Sequence, residues 1–127
     1  LADALAGRPG ALREGATLQC RRRRDEVPRA GGEGISLGFL SDTEHLSVAR
    51  VEVQAGAQGD ETRHGGDALL YGLSGEMFVR TRWQGECRAF ELAAHDAVFI
   101  PQGGSYELLS FGGAAQAMLG VAPAWRE

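Results

Sequence analysis

The chain of 127 residues has no lysine and no asparagine, and all 13 of its basic residues are arginine. Without lysine it offers neither a Schiff-base amine nor a phosphate-binding P-loop. Two cysteines, Cys20 and Cys87, lie far apart and form no Cys-x-x-Cys pair, so no zinc or redox motif is present. They read as free, partly buried thiols, with cytoplasm as the expected compartment. No apolar run approaches the roughly 18 residues that a membrane-spanning helix needs, and no charged-then-apolar leader is visible at the start. A net charge of -4 argues against direct nucleic-acid contact, which needs clustered positive charge. No Ser/His/Asp pattern supports a hydrolytic triad, and Gly31-Gly32-Glu33-Gly34 lacks the strand-turn-helix setting of a phosphate loop.

What is present is turn chemistry and alternation. With 43% hydrophobic and 24% charged residues, the composition is that of one ordinary globular domain. Residues 1–34 read as an N-terminal arm and linker: a helical turn or two at residues 1–7, the run Arg21 to Arg24, then three glycines. The arginine run reads as a solvated edge strand or arm. Residues 35–127 read as a β-barrel domain. Period-two strands are expected at 35–40, 45–53, 69–73, 76–83, 89–92, 97–100, 105–110 and 115–121. Glycines at 56, 59, 65, 66, 75, 85, 103, 104, 112 and 113 separate them, with positive φ expected at these turns. At least eight short, evenly spaced strands with no long helix predict an all-β double-sheet jelly roll.

Two segments narrow this. The first is Arg63-His64-Gly65-Gly66-Asp67-Ala68-Leu69-Leu70-Tyr71-Gly72-Leu73-Ser74-Gly75; the second is Asp96-Ala97-Val98-Phe99-Ile100-Pro101-Gln102-Gly103-Gly104-Ser105-Tyr106. Together they resemble the two signatures of the cupin family, the double-stranded β-helix or jelly-roll barrel. Gly66, Tyr71, Leu73, Gly75, Asp96, Ile100, Pro101 and Gly103 match its scaffold positions. Three of the positions that hold a metal in that family do not match: Thr62, Ala68 and Tyr106 stand there, and His64 is the one retained ligand position. His95 takes a turn position usually held by glycine.

The resemblance implies a cupin without a complete metal site and without a cofactor. Its expected ligand is a small polar organic molecule, carbohydrate-like, held by Thr62, His64 and Tyr106, whose hydroxyls and imidazole both donate and accept hydrogen bonds. Phe78 and Arg80 share strand parity; turned inward, they would add an aromatic wall and an anion clamp. Turned outward, they would leave Met77 and Val79 inside. Trp83 and Trp125 read as caps of an interface or barrel end. The expected role is ligand sensing or binding. The alternative is a metal-independent sugar isomerase or epimerase, in which His and Tyr would serve as base and acid. A homodimer is expected, joined through an edge strand supplied by the arm.

Overall fold

The computed structural model describes residues 18–126, and the expected helical turn at residues 1–7 lies outside them. After a 3-10 turn at Arg23–Asp25, ten strands follow in the order β1 (Val27–Ala30), β2 (Ile35–Asp42), β3 (Ser47–Val53), β4 (Thr62–Arg63), β5 (Asp67–Ser74), β6 (Met77–Trp83), β7 (Glu86–Leu92), β8 (Ala97–Ile100), β9 (Ser105–Leu109) and β10 (Ala115–Ala122). They form a six-stranded antiparallel sheet, β1-β2-β3-β10-β5-β8, and a four-stranded one, β4-β9-β6-β7. This is the expected two-sheet jelly roll. No helix among the described residues is long and apolar enough to cross a membrane.

Alternation sets the inner faces. Phe39, Val51, Leu70, Ile100, Leu119 and Val121 point inward from the larger sheet, and Met77, Val79, Tyr106 and Leu108 from the smaller. Every second residue of β3 is buried, and the intervening Val48, Arg50 and Glu52 lie outside. Each fully buried Val or Leu contributes about 1.5–3 kcal/mol of transfer free energy, so the interior is the main source of stability.

Several expectations need correction. Residues 27–30 pair with β2 in their own chain, so the boundary placed at 34 cuts through the sheet. Pro28 fits there because β1 is an edge strand, where a missing N–H costs no ladder bond. Cys20 and Cys87 are unbridged, as expected, but exposed and not partly buried. Among the turn glycines, Gly56, Gly75, Gly85 and Gly103 have positive φ, whereas Gly59, Gly65, Gly66, Gly104, Gly112 and Gly113 do not. His95 does occupy the left-handed region, at φ 74°; its Nδ1 lies 2.9 Å from the Tyr71 hydroxyl, which holds the turn in place.

Candidate functional site

Two aspartates of the signature segments have local work to do. Asp96 ends the β7–β8 turn, its carboxylate accepting from the Ala93 N–H at 3.1 Å. Asp67 opens β5, its carboxylate accepting from the Gln102 N–H at 2.9 Å. That bond ties the first signature to the second. β4 then pairs with β9 so that Thr62 faces Tyr106, while β6 places Thr81 on the other side of Tyr106. A row of polar side chains, Thr62–Tyr106–Thr81, thus crosses the smaller sheet.

His64 sits directly after β4 and is buried. Its Nε2 lies 2.7 Å from the Tyr106 hydroxyl and its Nδ1 2.6 Å from the Trp125 carbonyl oxygen. A carbonyl oxygen can only accept, so Nδ1 carries the proton; neutral Nε2 then accepts from the Tyr106 O–H. Burial pushes the His64 imidazole below its ordinary range, opposed by the bond to Trp125. Burial likewise holds the Tyr106 hydroxyl well above the ordinary phenol range. The pair is neutral, with one defined hydrogen-bond direction. Thr62, half-buried beside it, donates its own hydroxyl to the Asp60 carbonyl at 3.1 Å.

The C-terminal segment closes this end of the barrel. The Trp125 ring stands edge-on to Phe39, at 4.8 Å between centroids, and to His64, at 4.6 Å. Gly65 and Gly66 make room for the crossing chain: a Cβ on Gly65 would meet the Arg126 carbonyl at 2.0 Å, and one on Gly66 the Ala122 carbonyl at 2.3 Å. These two glycines serve close approach, a need that the turn reading missed. Beside Trp125 lies a cavity of about 50 Å³ lined by Ile35, Leu37, Val51, Leu108 and Leu119, with Asp60, Thr62 and Tyr106 supplying its polar side. Its aliphatic lining was not anticipated, although the strand alternation that places Ile35, Leu37 and Val51 inside was visible in the sequence.

Thr62, His64 and Tyr106 are therefore brought together. Phe78 and Arg80 are not: of the two parities left open for β6, the structure has the one that turns them outward, so they do not join the candidate ligand residues. On β6 the inward parity belongs to Met77, Val79 and Thr81. Phe78 packs outside against Phe111 at 5.2 Å. Arg80 is exposed and pairs with Glu107 at 3.0 Å, which raises the guanidinium and lowers the carboxyl. Met77 and Val79 take the interior, because the opposite parity would bury the Arg80 guanidinium, which would need a partner there.

The metal of the cupin signatures does not fit these residues. Among the described residues no group of three or more His, Cys, Asp or Glu could hold an ion. Ala68 is buried with no donor, and both ring nitrogens of His64 are engaged. Neighbouring carboxylates are occupied elsewhere: Glu61 accepts from the Ser105 hydroxyl, and Asp67 is held in its turn.

No family model and no curated protein matches the chain. Solved structures do. KdgF from Halomonas sp. matches with a TM-score of 0.70 over 84% of this chain and 94% of its own, at 20% identity. An RmlC-like cupin from Shewanella frigidimarina gives 0.70 over 85% and 93%, at 18% identity. The polyketide cyclase RemF from Streptomyces resistomycificus gives 0.69 over 87% and 85%, again at 18%. With its two sheets and the paired signature turns, the chain has the cupin-superfamily fold.

Proposed function

We propose that this barrel is a binding module, with a ligand-sensing role, for a small organic molecule that presents an O–H or N–H donor to Tyr106. The observation that carries the reading is the direction of the buried hydrogen bond. Because Tyr106 spends its proton on His64 Nε2, its hydroxyl oxygen has only lone pairs left to offer, and Tyr106 lines the cavity. Thr62, also in the lining, spends its proton on the Asp60 carbonyl and is likewise left an acceptor. A site of acceptors favours alcohols and amines over carboxylates or phosphates, which would meet lone pairs with lone pairs. The aliphatic lining favours one polar end and an apolar body. A polyol such as a sugar would leave most of its hydroxyls without partners there, at a cost of about 1–3 kcal/mol each.

A cavity of about 50 Å³ is far smaller than the roughly 300–1,000 Å³ of drug-sized sites. Any ligand larger than a few atoms must displace the Trp125 ring, so binding is coupled to movement of the C-terminal segment. That coupling suits a sensor. The isomerase alternative rests on the same His64–Tyr106 pair, but the imidazole leans on a backbone carbonyl and not on an orienting carboxylate.

The test is a thermal-shift screen of the full chain with alcohols, amines, sugars, carboxylates and sugar phosphates, followed by calorimetry. Alcohols or amines with an aliphatic body should stabilise the protein and quench or shift tryptophan emission. Preferred binding of carboxylates, unaffected by Tyr106→Phe, would overturn the proposal. Slow conversion of a bound compound, followed by NMR, would favour the enzyme.

A further inference from the structure

On the outer face of the smaller sheet, β6 turns Phe78 outward, and register sets Glu91 of β7 directly opposite it. Two connections border this spot. The β5–β6 turn carries Glu76, and the β9–β10 loop carries Phe111, whose ring centroid lies 5.2 Å from that of Phe78. Glu76, Phe78, Glu91, Phe111, Gly112 and Gly113 line a cleft of about 440 Å³. That volume falls within the roughly 300–1,000 Å³ of small-molecule sites. The cavity beside Trp125 shares no lining residue with it.

Local structure holds these groups in place. The Ser110 N–H donates to the Ala57 carbonyl at 3.0 Å and its hydroxyl donates to the Gly113 carbonyl, so the loop is fastened on both sides of Phe111. At Gly75, with φ 68°, a Cβ would strike the Ala114 carbonyl; glycine there lets the β5–β6 turn and this loop meet. A Cβ on Gly112 or Gly113 would meet nothing within 4 Å, so their side of the cleft is bare backbone beside open space. The two rings are tilted by 52° and do not cover each other face to face. Phe111 remains 72% exposed although its loop is tied down.

The lining selects the chemistry of an occupant. Among the described residues, none forms a hydrogen bond or ion pair with Glu76 or Glu91, and no basic residue lines the cleft. Nearby, Arg80 is committed to Glu107, and Arg88 lies over the Phe90 ring at 4.9 Å. An anion would meet two carboxylates with no counter-charge. A neutral apolar body would desolvate them without compensation. A metal ion needs more donors, and among the described residues no group of three or more His, Cys, Asp or Glu could hold one. An alkylated ammonium satisfies both halves of the lining: its charge suits the carboxylates, and aromatic faces attract such a cation within about 6 Å of the ring centroid. We propose that this cleft binds a small alkylated ammonium, with Phe78 and Phe111 as its aromatic walls and Glu76 and Glu91 as its counter-charges. The site is independent of the ligand proposed for the barrel.

The probe is tetramethylammonium, which has no O–H or N–H and so nothing to donate to Tyr106. The test is an NMR titration of the full chain with its chloride, against sodium chloride at the same concentrations. Saturable shifts are expected at Phe111, Gly112, Gly113 and the Phe78 ring, and none at His64 or Trp125. Phe111→Leu keeps an apolar side chain without a π-face and should weaken binding about two- to fivefold, the range for one exposed cation–π contact. Glu91→Gln should weaken it too, by a factor that shrinks at high salt. Both positions are exposed, and far-UV circular dichroism checks that each variant folds. Phe99→Leu, at an exposed phenylalanine of the other sheet, should bind as the wild type does. Shifts that sodium chloride reproduces, acetate acting on the same residues, or wild-type affinity in both Phe111→Leu and Glu91→Gln would overturn the proposal. So would a lysine-rich peptide that shifts these residues where tetramethylammonium does not.

Discussion

The imidazole of His64 holds the carbonyl of Trp125 at 2.6 Å, so the histidine of the first signature segment fastens the segment that closes the barrel. The same ring receives the Tyr106 proton on its other nitrogen. His64 is thus the joint between the barrel interior and the C-terminal segment.

Removing the plug should open the interior. Trp125→Ala deletes a buried ring wedged against Phe39 and His64 and should cost about 3 kcal/mol, the lower end for buried Trp→Ala changes. Chemical denaturation would measure the loss. The same variant should bind alcohols or amines more tightly than the wild type, because displacement of the ring no longer opposes them. Equal affinity in calorimetry would mean that the ligand enters without moving Trp125.

Tyr106→Phe keeps the ring and deletes the hydroxyl, leaving His64 Nε2 as a buried acceptor without its donor. A loss of about 1–3 kcal/mol is expected, whereas replacing both partners by apolar groups of similar shape can be nearly neutral. Urea melts of Tyr106→Phe and of His64→Phe/Tyr106→Phe separate the two: the double variant should lose less than the sum of the singles.

Stability should fall with acid through His64. Its folded pKa lies below the unfolded value of about 6.5 because burial penalises the cation. The unfolded chain therefore binds a proton more readily, and the stability present above pH 6.5 is lost as the pH drops toward the folded pKa. His64→Phe should flatten the slope of melting temperature below about pH 6.5 relative to the wild type. Parallel slopes would show that the imidazole charges without opening the site.

Arg80 offers the contrasting case. It is exposed and paired with Glu107 on the outer face of the smaller sheet, where solvent screens such pairs. Arg80→Met should leave both ligand affinity and melting temperature close to wild type. A large loss of affinity would restore the anion clamp that β6 parity removed.

The strand pattern made most of the fold legible, because strands such as β3 and β10 bury every second residue without exception. β1 escaped notice because Pro28 and Arg29 mask it, and β4 because two residues carry no period. The polar trio of Thr62, His64 and Tyr106 was also legible, since signature spacing sets which residues register across β4 and β9. Parity on β6 was not: Met77-Phe78-Val79-Arg80 alternates two apolar sets, and only tertiary packing decides between them. The partner of His64 Nδ1 could not be read either, because a backbone carbonyl 61 positions away leaves no residue-type signal.

Gly66 and Trp125 should act on stability as one unit. An alanine Cβ at Gly66 would come within 2.3 Å of the Ala122 carbonyl and 2.7 Å of the Pro123 nitrogen, so the C-terminal segment must lift to admit it. Since these contacts are backbone, no side-chain rotation relieves them. Gly66→Ala should therefore release the Trp125 ring and reproduce much of the destabilisation of Trp125→Ala. In the double variant the second change finds the segment already displaced, and the combined loss should fall well short of the sum, by more than the roughly 0.5 kcal/mol scatter of independent sites. Denaturant melts of the two singles and the double measure this coupling. Additive losses would mean that residues 122–126 and the Gly65-Gly66 turn are held separately, and that the bond from His64 to Trp125 does not join them.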